Sequence, residues 1–272
     1  MLADSMIPKV SVIMLARNSQ GTIAQAIESL LAQTLKDFEI IVIDGGSTDQ
    51  TLSILSGYQD PRLRISPQTG RGLGHARSQG ISEARATLIA YLDSDDVAQP
   101  QRLEKQLHFL ETHPDYVLVG SWLTLIDENS KKITDRHYPS KHEDIVRAMG
   151  SFNPIANPGV MFRKQAVIQA GGYTEVLPED YDLWFRMLGQ GKFYNLPEFL
   201  TLYRIHTQGS KLQTTRMQQW VSLKVRYHYW RQGIFKLTLS SCLNNIAQLL
   251  IIPLPPALVV WAFRTAVKLR RL

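Results

Sequence analysis

A single cysteine, Cys242, occurs in the 272 residues, which excludes an internal disulfide and fits a reducing compartment. No Gly-Lys-Ser/Thr occurs anywhere, so a phosphate-binding loop of the ATPase type is absent. The segment Gly70-Arg71-Gly72-Leu73-Gly74 puts His75 where the dinucleotide fingerprint needs its last glycine, which argues against a Rossmann oxidoreductase. Met1 to Lys9 lacks a basic start followed by an apolar core, so the expectation is no signal peptide and a cytoplasmic protein. Disorder is excluded too, because 44% of the residues are hydrophobic and 9% aromatic. A chain of this size buries one large core or two small ones.

Acids are missing from one end. Glu198 is the last; Arg204, Lys211, Arg216, Lys224, Arg226, Arg231, Lys236, Arg264, Lys268, Arg270 and Arg271 follow without a counter-charge. The net charge of +6 therefore hides a body of 19 basic and 24 acidic residues joined to a basic tail. Such a tail suits a polyanion, either nucleic acid or an anionic membrane surface. Within it, Leu237 to Phe263 is uncharged, long enough to span about 40 Å as one helix. Pro253, Pro255 and Pro256 break that helix, and Asn244, Asn245 and Gln248 make its first half amphipathic. Two short apolar pieces flanked by Arg and Lys fit an interfacial or re-entrant anchor over 237–272. A pair of core helices with solvated basic ends is the alternative.

Upstream, strand and helix patterns alternate. Val10 to Leu15, Phe38 to Ile43, Leu63 to Ile65 and Thr87 to Leu92 read as strands. Helical spacing lies between them at Ile23, Ile27, Leu30 and Leu31, at Leu52 and Leu55, and over Gly74 to Ala84. This order predicts an α/β protein with a mostly parallel central sheet flanked by helices. Past Pro100 the pattern is mixed: helices at Gln101 to Thr112, Glu143 to Met149, Asp180 to Leu188 and Thr214 to Trp230, and strands at Tyr116 to Val119, Gly159 to Phe162 and Phe199 to Ile205. The expected organisation is a globular domain over 1–232, with a nucleotide half at about 8–98 and an acceptor half at about 99–232, then a helical extension over 233–272.

Four acidic or polar constellations follow strands or open helices. Asp93-Ser94-Asp95-Asp96 ends the fourth strand, where open α/β sheets bind ligands. Carboxylates so crowded repel unless a cation sits among them, and a hard divalent ion with substrate phosphates would supply that charge. A solvated acidic turn is the plain alternative. Asp44 ends the second strand before Gly45-Gly46, and could accept hydrogen bonds from a ribose or base edge. Glu179-Asp180 opens a helix; acids there complement the helix dipole, and a carboxylate at such a junction can also act as a general base. Tyr203-Arg204-Ile205-His206, followed by Gly209-Ser210-Lys211, suits a diphosphate.

As a set, Val10-Ser11-Val12-Ile13 through Asn18, Asp44-Gly45-Gly46-Ser47-Thr48-Asp49-Gln50-Thr51, Ala76-Arg77-Ser78-Gln79-Gly80-Ile81, Leu92-Asp93-Ser94-Asp95-Asp96, Glu179-Asp180 and Tyr203-Arg204-x-His206-x-x-x-Ser210 resemble glycosyltransferase family 2 over roughly residues 8–230. The resemblance implies a GT-A fold, an inverting transfer from a UDP-, GDP- or dTDP-sugar, and a Mg²⁺ or Mn²⁺ ion. It places Ala16, Asn18, Asp44, Arg77, Asp93, Ser94, Arg204 and His206 at the nucleotide-sugar. It makes Asp95, with Asp93 and His206, the metal ligands, and Asp180 the base with Glu179 beside it. Three positions depart from the family pattern. Leu15-Ala16-Arg17-Asn18 lacks the usual aromatic, Gly45 replaces a second acid, and Ser78 stands where Asn is usual.

The function expected is metal-dependent sugar transfer to a glycan or polyprenyl-diphosphate-linked acceptor on the inner face of a membrane, in cell-surface polysaccharide synthesis. A sugar-phosphate nucleotidyltransferase is the first rival, weakened because no Gly-rich basic loop follows the first strand. A nucleic-acid-binding protein is the second, opposed by the uncharged tail; no nucleic acid partner is expected.

Overall fold

A computed structural model describes residues 7–175, 178–205 and 211–252. In chain order the elements are β1 (Val10–Ala16), α1 (Ile23–Leu31), β2 (Phe38–Asp44), α2 (Thr51–Ser56), β3 (Leu63–Pro67), α3 (Leu73–Glu83), β4 (Leu88–Tyr91), β5 (Val97–Ala98), α4 (Arg102–Thr112), β6 (Tyr116–Ile126), β7 (Lys132–Arg136), α5 (His142–Met149), β8 (Met161–Arg163), α6 (Lys164–Gln169), α7 (Glu179–Met187), β9 (Lys192–Arg204), α8 (Lys211–Arg231) and α9 (Leu239–Ile251). They fall into two compact units: residues 1–145 with 154–207, and residues 146–153 with 208–272.

The first unit is an α/β sandwich around one sheet of order β3-β2-β1-β4-β8-β6-β9-β5, with β7 beside β6. β1 and β2 are continuous apolar runs because helices cover both faces; every β2 side chain is buried. They pair in parallel from Val10↔Phe38 to Ala16↔Asp44, and β4 joins β1 in parallel up to Ile13↔Tyr91. The carboxyl ends of these three strands therefore share one sheet edge. Beyond β4 the sheet is mixed: β8 runs antiparallel to β4 and to β6, while β9 is parallel to β6. α3 lies close on β1 because Gly80 has no side chain; a Cβ there would come within 2.6 Å of Ile13.

The expected elements are present with two instructive extensions. β6 runs seven residues past the expected Val119 because Gly120, which reads as a break, is a close approach: a Cβ would lie 2.1 Å from Asn195 Oδ1. β9 starts at Lys192 rather than Phe199 because Pro197 interrupts the ladder without ending it, and the register jumps from Ser121↔Leu196 to Trp122↔Phe199. β5, β7 and α6 carry no apolar period that could announce them.

In the second unit α8 and α9 form a helical pair, and α9 begins with a capping box between Thr238 and Ser241. No described helix is long and apolar enough to cross a membrane. The expected apolar run continues to Phe263, which lies outside the described residues.

At the amino-terminal half of the sheet a buried carboxylate ties three segments together. Glu39, 1% exposed, accepts from Ser11 Oγ at 2.6 Å, Arg85 N at 2.8 Å, Arg85 Nε at 2.9 Å and Arg64 Nη2 at 3.1 Å. Burial pushes its carboxyl up, but the bonds from Ser11 and Arg85 outweigh that and hold it below the ordinary value. Its stabilisation is therefore present above the ordinary carboxylate range and lost as pH falls through it. Replacing Glu39 with Ala is expected to lower unfolding free energy by about 3 kcal/mol in urea melts at pH 7, since charge-assisted bonds are lost while both arginines stay hydrated.

Candidate active site

Loops from the shared sheet edge are stitched together at short range. After β1, Asn18 adopts φ +52° and its Oδ1 accepts from Thr48 N at 2.8 Å, while its own N–H meets Ser47 Oγ at 3.0 Å. Ser19 N–H donates to Thr51 Oγ1 at 2.8 Å, and Ser19 Oγ lies 2.8 Å from Ser94 Oγ. Ala16, Asn18, Asp44 and Ser94 are thus brought to one side of the site. Asp44 itself has a local task that the sequence did not disclose. Its carboxylate accepts from Gly46 N and Ser47 N at 3.1 and 3.0 Å and from Ser47 Oγ at 2.5 Å, closing the turn that Gly46 permits with φ +79°.

The acidic run folds into a tight turn, with Asp96 N–H bonded to Asp93 O at 3.1 Å. This gathers Asp93, Asp95 and Asp96 so that one carboxylate oxygen from each lies within 4.8 Å of the others. Asp96 is fully buried: Oδ1 accepts from Arg204 N at 2.8 Å, and Oδ2 has no hydrogen-bond partner among the described residues. Burial, followed by the charges of Asp93 and Asp95, pushes the Asp96 carboxyl well above its ordinary value. Beneath lies Arg102, also fully buried, donating to the carbonyls of Tyr91 and Val160. Burial pulls its pKa down to about 10 even against Asp96 and Asp93. Three hard oxygen donors and an orphaned buried acceptor fit a Mg²⁺ or Mn²⁺ ion.

Arg77, from α3, connects this cluster to the second one. Its Nε donates to Glu179 Oε1 at 2.9 Å, with both side chains more than nine-tenths buried. Its guanidinium sits 5.0 Å over Tyr91 and 5.7 Å from the Tyr173 ring. With its amide oxygen turned inward, Asn157 accepts from Arg77 Nη1 and Nη2 at 2.6 and 3.1 Å. Burial alone would lower the arginine's pKa; Tyr173, Asp93 and Glu179 outweigh it and hold the guanidinium charged.

Asp180 is next to Glu179 but differently served. Burial first, then the Glu179 charge, raises its carboxyl to about 6, against the pull of Arg77 and the Tyr181 N–H at 2.8 Å. Asp182, in the same first turn, is tied to Arg186 at 2.9 Å and to Thr174. The helix-opening acids therefore differ in the partners they meet.

Arg204, which the sequence reading gave to the diphosphate, has internal partners: its donors go to Asp95 O (2.8 Å), Asp127 O (2.9 Å), Glu128 O (3.1 Å), Ser130 Oγ (3.1 Å) and Gln25 Oε1 (2.6 Å). Only 3% exposed, Arg204 holds the Asp95 carbonyl through its side chain and the Asp96 carboxylate through its own N–H. His206 and Ser210 lie outside the described residues. Tyr91, Tyr173 and Asn157, which surround Arg77, were missed, and Asp96 was not named among the candidate metal ligands. Asp96 stood in the acidic run, whereas nothing in the local sequence marks Asn157.

Residues 11–171 match the description of glycosyl transferase family 2. The O-antigen biosynthesis glycosyltransferase WbnJ of Escherichia coli is 32% identical over 89% of this chain and 96% of its own length. The amylovoran biosynthesis glycosyltransferase AmsE of Erwinia amylovora is 34% identical over 66% and 69%. Among solved structures, S. aureus TarS 1–349 in complex with UDP superposes with a TM-score of 0.62 at 19% identity, covering 80% of this chain and 65% of that one. TarS 1–349 in complex with UDP-GlcNAc gives 0.62 at 18% identity, covering 88% and 79%. The chain belongs to glycosyl transferase family 2, and its α/β fold is that of GT-A glycosyltransferases.

Arg77→Met should leave Glu179 buried without its cation and lower stability by about 3–5 kcal/mol. Adding Glu179→Gln should restore part of that loss. Additive penalties in a double-mutant cycle of urea melts would contradict the pairing.

Proposed function

We propose that this glycosyltransferase transfers a sugar, with inversion, from a nucleoside-diphosphate sugar to a hydroxyl of a glycan or lipid-linked acceptor in cell-surface polysaccharide synthesis. The observation that carries this is Arg77 with Asp93 on one side and Glu179 on the other, linking a cation-ready carboxylate cluster to a carboxyl poised near neutrality. Relatives named for O-antigen and amylovoran biosynthesis support the pathway class. Structural neighbours in complex with UDP and UDP-GlcNAc make a UDP-sugar the first donor to test.

In this reading Asp93, Asp95 and Asp96 hold Mg²⁺ or Mn²⁺, with His206 assigned to the same ion. Held by those carboxylates, the ion would supply Lewis-acid neutralisation of the leaving nucleoside diphosphate. Ala16, Asn18, Asp44 and Ser94 line the nucleoside side, and Arg204 keeps the Asp95 backbone fixed. Asp180 takes the proton of the acceptor hydroxyl as it attacks the anomeric carbon from the face opposite the leaving group. Glu179 cannot share that duty because Arg77 occupies it; its charge keeps Asp180 basic. One base and one displacement invert the anomeric centre.

The tail is assigned to peripheral attachment on the inner face of the membrane. Leu239, Leu243, Ile246 and Leu250 are 79%, 58%, 53% and 67% exposed on α9, an apolar surface that water does not favour.

Asp95→Asn and Asp180→Asn should each cut transfer at least about 10²-fold. For the wild type, kcat/KM should fall as pH drops below about 6, where Asp180 takes up a proton. The same raised value makes ionised Asp180 destabilising as pH rises through about 6, so Asp180→Asn should be at least as stable as wild type at pH 8. That separates lost chemistry from lost fold. Release of pyrophosphate instead of a nucleoside diphosphate would indicate nucleotidyl transfer, and retention at the anomeric carbon would exclude Asp180 as sole base.

A further inference from the structure

The carboxyl ends of β1, β2 and β3 finish in one row, Ala16↔Asp44↔Pro67. Two backbone bonds carry the ladder one residue further, Gly45 N–H to Ala16 O and Gln68 N–H to Asp44 O, both at 2.8 Å. Side chains alternate across a sheet, so Arg17, Gly45 and Gln68 form the next row, on the face opposite to Asp44. The middle position of that row has no side chain, and both neighbours lean over it. A Cβ on Gly45 would lie 3.2 Å from Gln68 Oε1, 3.4 Å from Arg17 Cβ and 3.5 Å from Arg17 Cδ.

The two neighbours offer opposite chemistry. Gln68 Nε2 donates to Gly70 O at 2.8 Å and to Gly72 O at 3.1 Å. Those bonds fix which end of the amide faces the glycine: it is the oxygen, an acceptor. Among the described residues no donor meets Oε1, and the guanidinium of Arg17, exposed at the surface, has no ion pair. Asp44 is no rival acceptor here, because its carboxylate serves its own turn. One oriented acceptor therefore stands beside one cationic donor, over a bare stretch of backbone.

We propose that Arg17, Gly45 and Gln68 read the base of the donor nucleotide as an imide, the N–H between two carbonyls that uracil and thymine carry; this rests on the nucleotide-sugar reading above and names the base. Gln68 Oε1 accepts the imide N–H, and Arg17 donates to a flanking carbonyl. An imide has an acceptor on each side of its N–H, so the guanidinium meets a carbonyl in either ring orientation. Guanine presents two adjacent donors, N1–H and its amino group, and Gln68 has one oxygen for them. Cytosine and adenine offer an amino group, whose second hydrogen would turn toward the Arg17 cation.

The test is calorimetric titration of the full-length protein, with Mn²⁺, against UDP, dTDP, CDP, GDP and 3-methyl-UDP, in which a methyl group replaces the imide hydrogen. UDP or dTDP is expected to bind at least about tenfold more tightly than the other three, since a site built around a hydrogen bond rejects analogues that lack it. The dTDP arm separates thymine from uracil. Gln68→Ala should weaken UDP and erase its advantage over 3-methyl-UDP, because the acceptor is gone and the methyl group has room. Gln68→Glu keeps an acceptor while losing the bonds to Gly70 and Gly72, so it should retain that advantage. Arg17→Ala should weaken UDP and retain it too. Equal binding of UDP and 3-methyl-UDP by the wild type, an advantage that survives Gln68→Ala, or tighter binding of GDP or CDP overturns the proposal. So does a loss in Gln68→Glu equal to that in Gln68→Ala, which would assign the effect to the turn. UDP binding without imide discrimination removes the base assignment alone; binding of none of the five removes the donor reading and the base assignment with it.

Discussion

The arrangement depends on one buried ion pair. Arg77 and Glu179 are 102 residues apart, yet their side chains meet at 2.9 Å with almost no access to water. Such a pair is costly to desolvate and gives little net stability, so its presence needs another reason. It offers one here. The crowding of Asp93, Asp95 and Asp96 demands positive charge, and Arg77 supplies part of it from one side and Arg102 from beneath. By reaching Glu179 as well, Arg77 fixes where α7 begins relative to the ends of β1, β2 and β4. The aromatic walls of Tyr91 and Tyr173 and the amide of Asn157 leave that guanidinium one position to occupy.

The parallel half of the fold was legible because its strands are buried on both faces and read as unbroken apolar runs. The mixed half was legible only in part. Gly120 and Pro197 look like strand breakers, yet each serves the β6–β9 pairing, one by letting Asn195 in and the other at a register jump. Such a role exists only across two strands far apart in the chain. In the site, acids were easy to find and their duties were not. The Asp44 carboxylate, expected at a ligand, also accepts three hydrogen bonds within its own turn. Arg204, expected at a diphosphate, also braces backbone carbonyls. A charged residue in a family motif reveals its chemistry, while its partner is set by the fold.

Charge is divided between the two units. All of the chain's aspartates and glutamates belong to the first unit, and the charged side chains of the second unit are all cations. A segment without acids cannot neutralise itself, and at a surface it attracts anions within about a Debye length. With aromatic and aliphatic side chains exposed on the same helices, electrostatic and apolar attraction act together, which is the combination that holds a protein at an anionic interface.

Glu179 and Asp180 show how two neighbouring carboxylates acquire different work. They share a helix start and a loop, so sequence alone cannot separate them. The difference is the cation: Arg77 makes its hydrogen bond to Glu179, and Asp180 receives only the weaker influence of that guanidinium through space. Burial and the Glu179 charge then leave Asp180 at about 6, ionised at neutral pH yet basic enough to accept a proton. Environments that push paired carboxyls apart define acid–base roles. In the proposed transfer, the ion pair that positions α7 is therefore also what would leave Asp180, rather than Glu179, to act as the base.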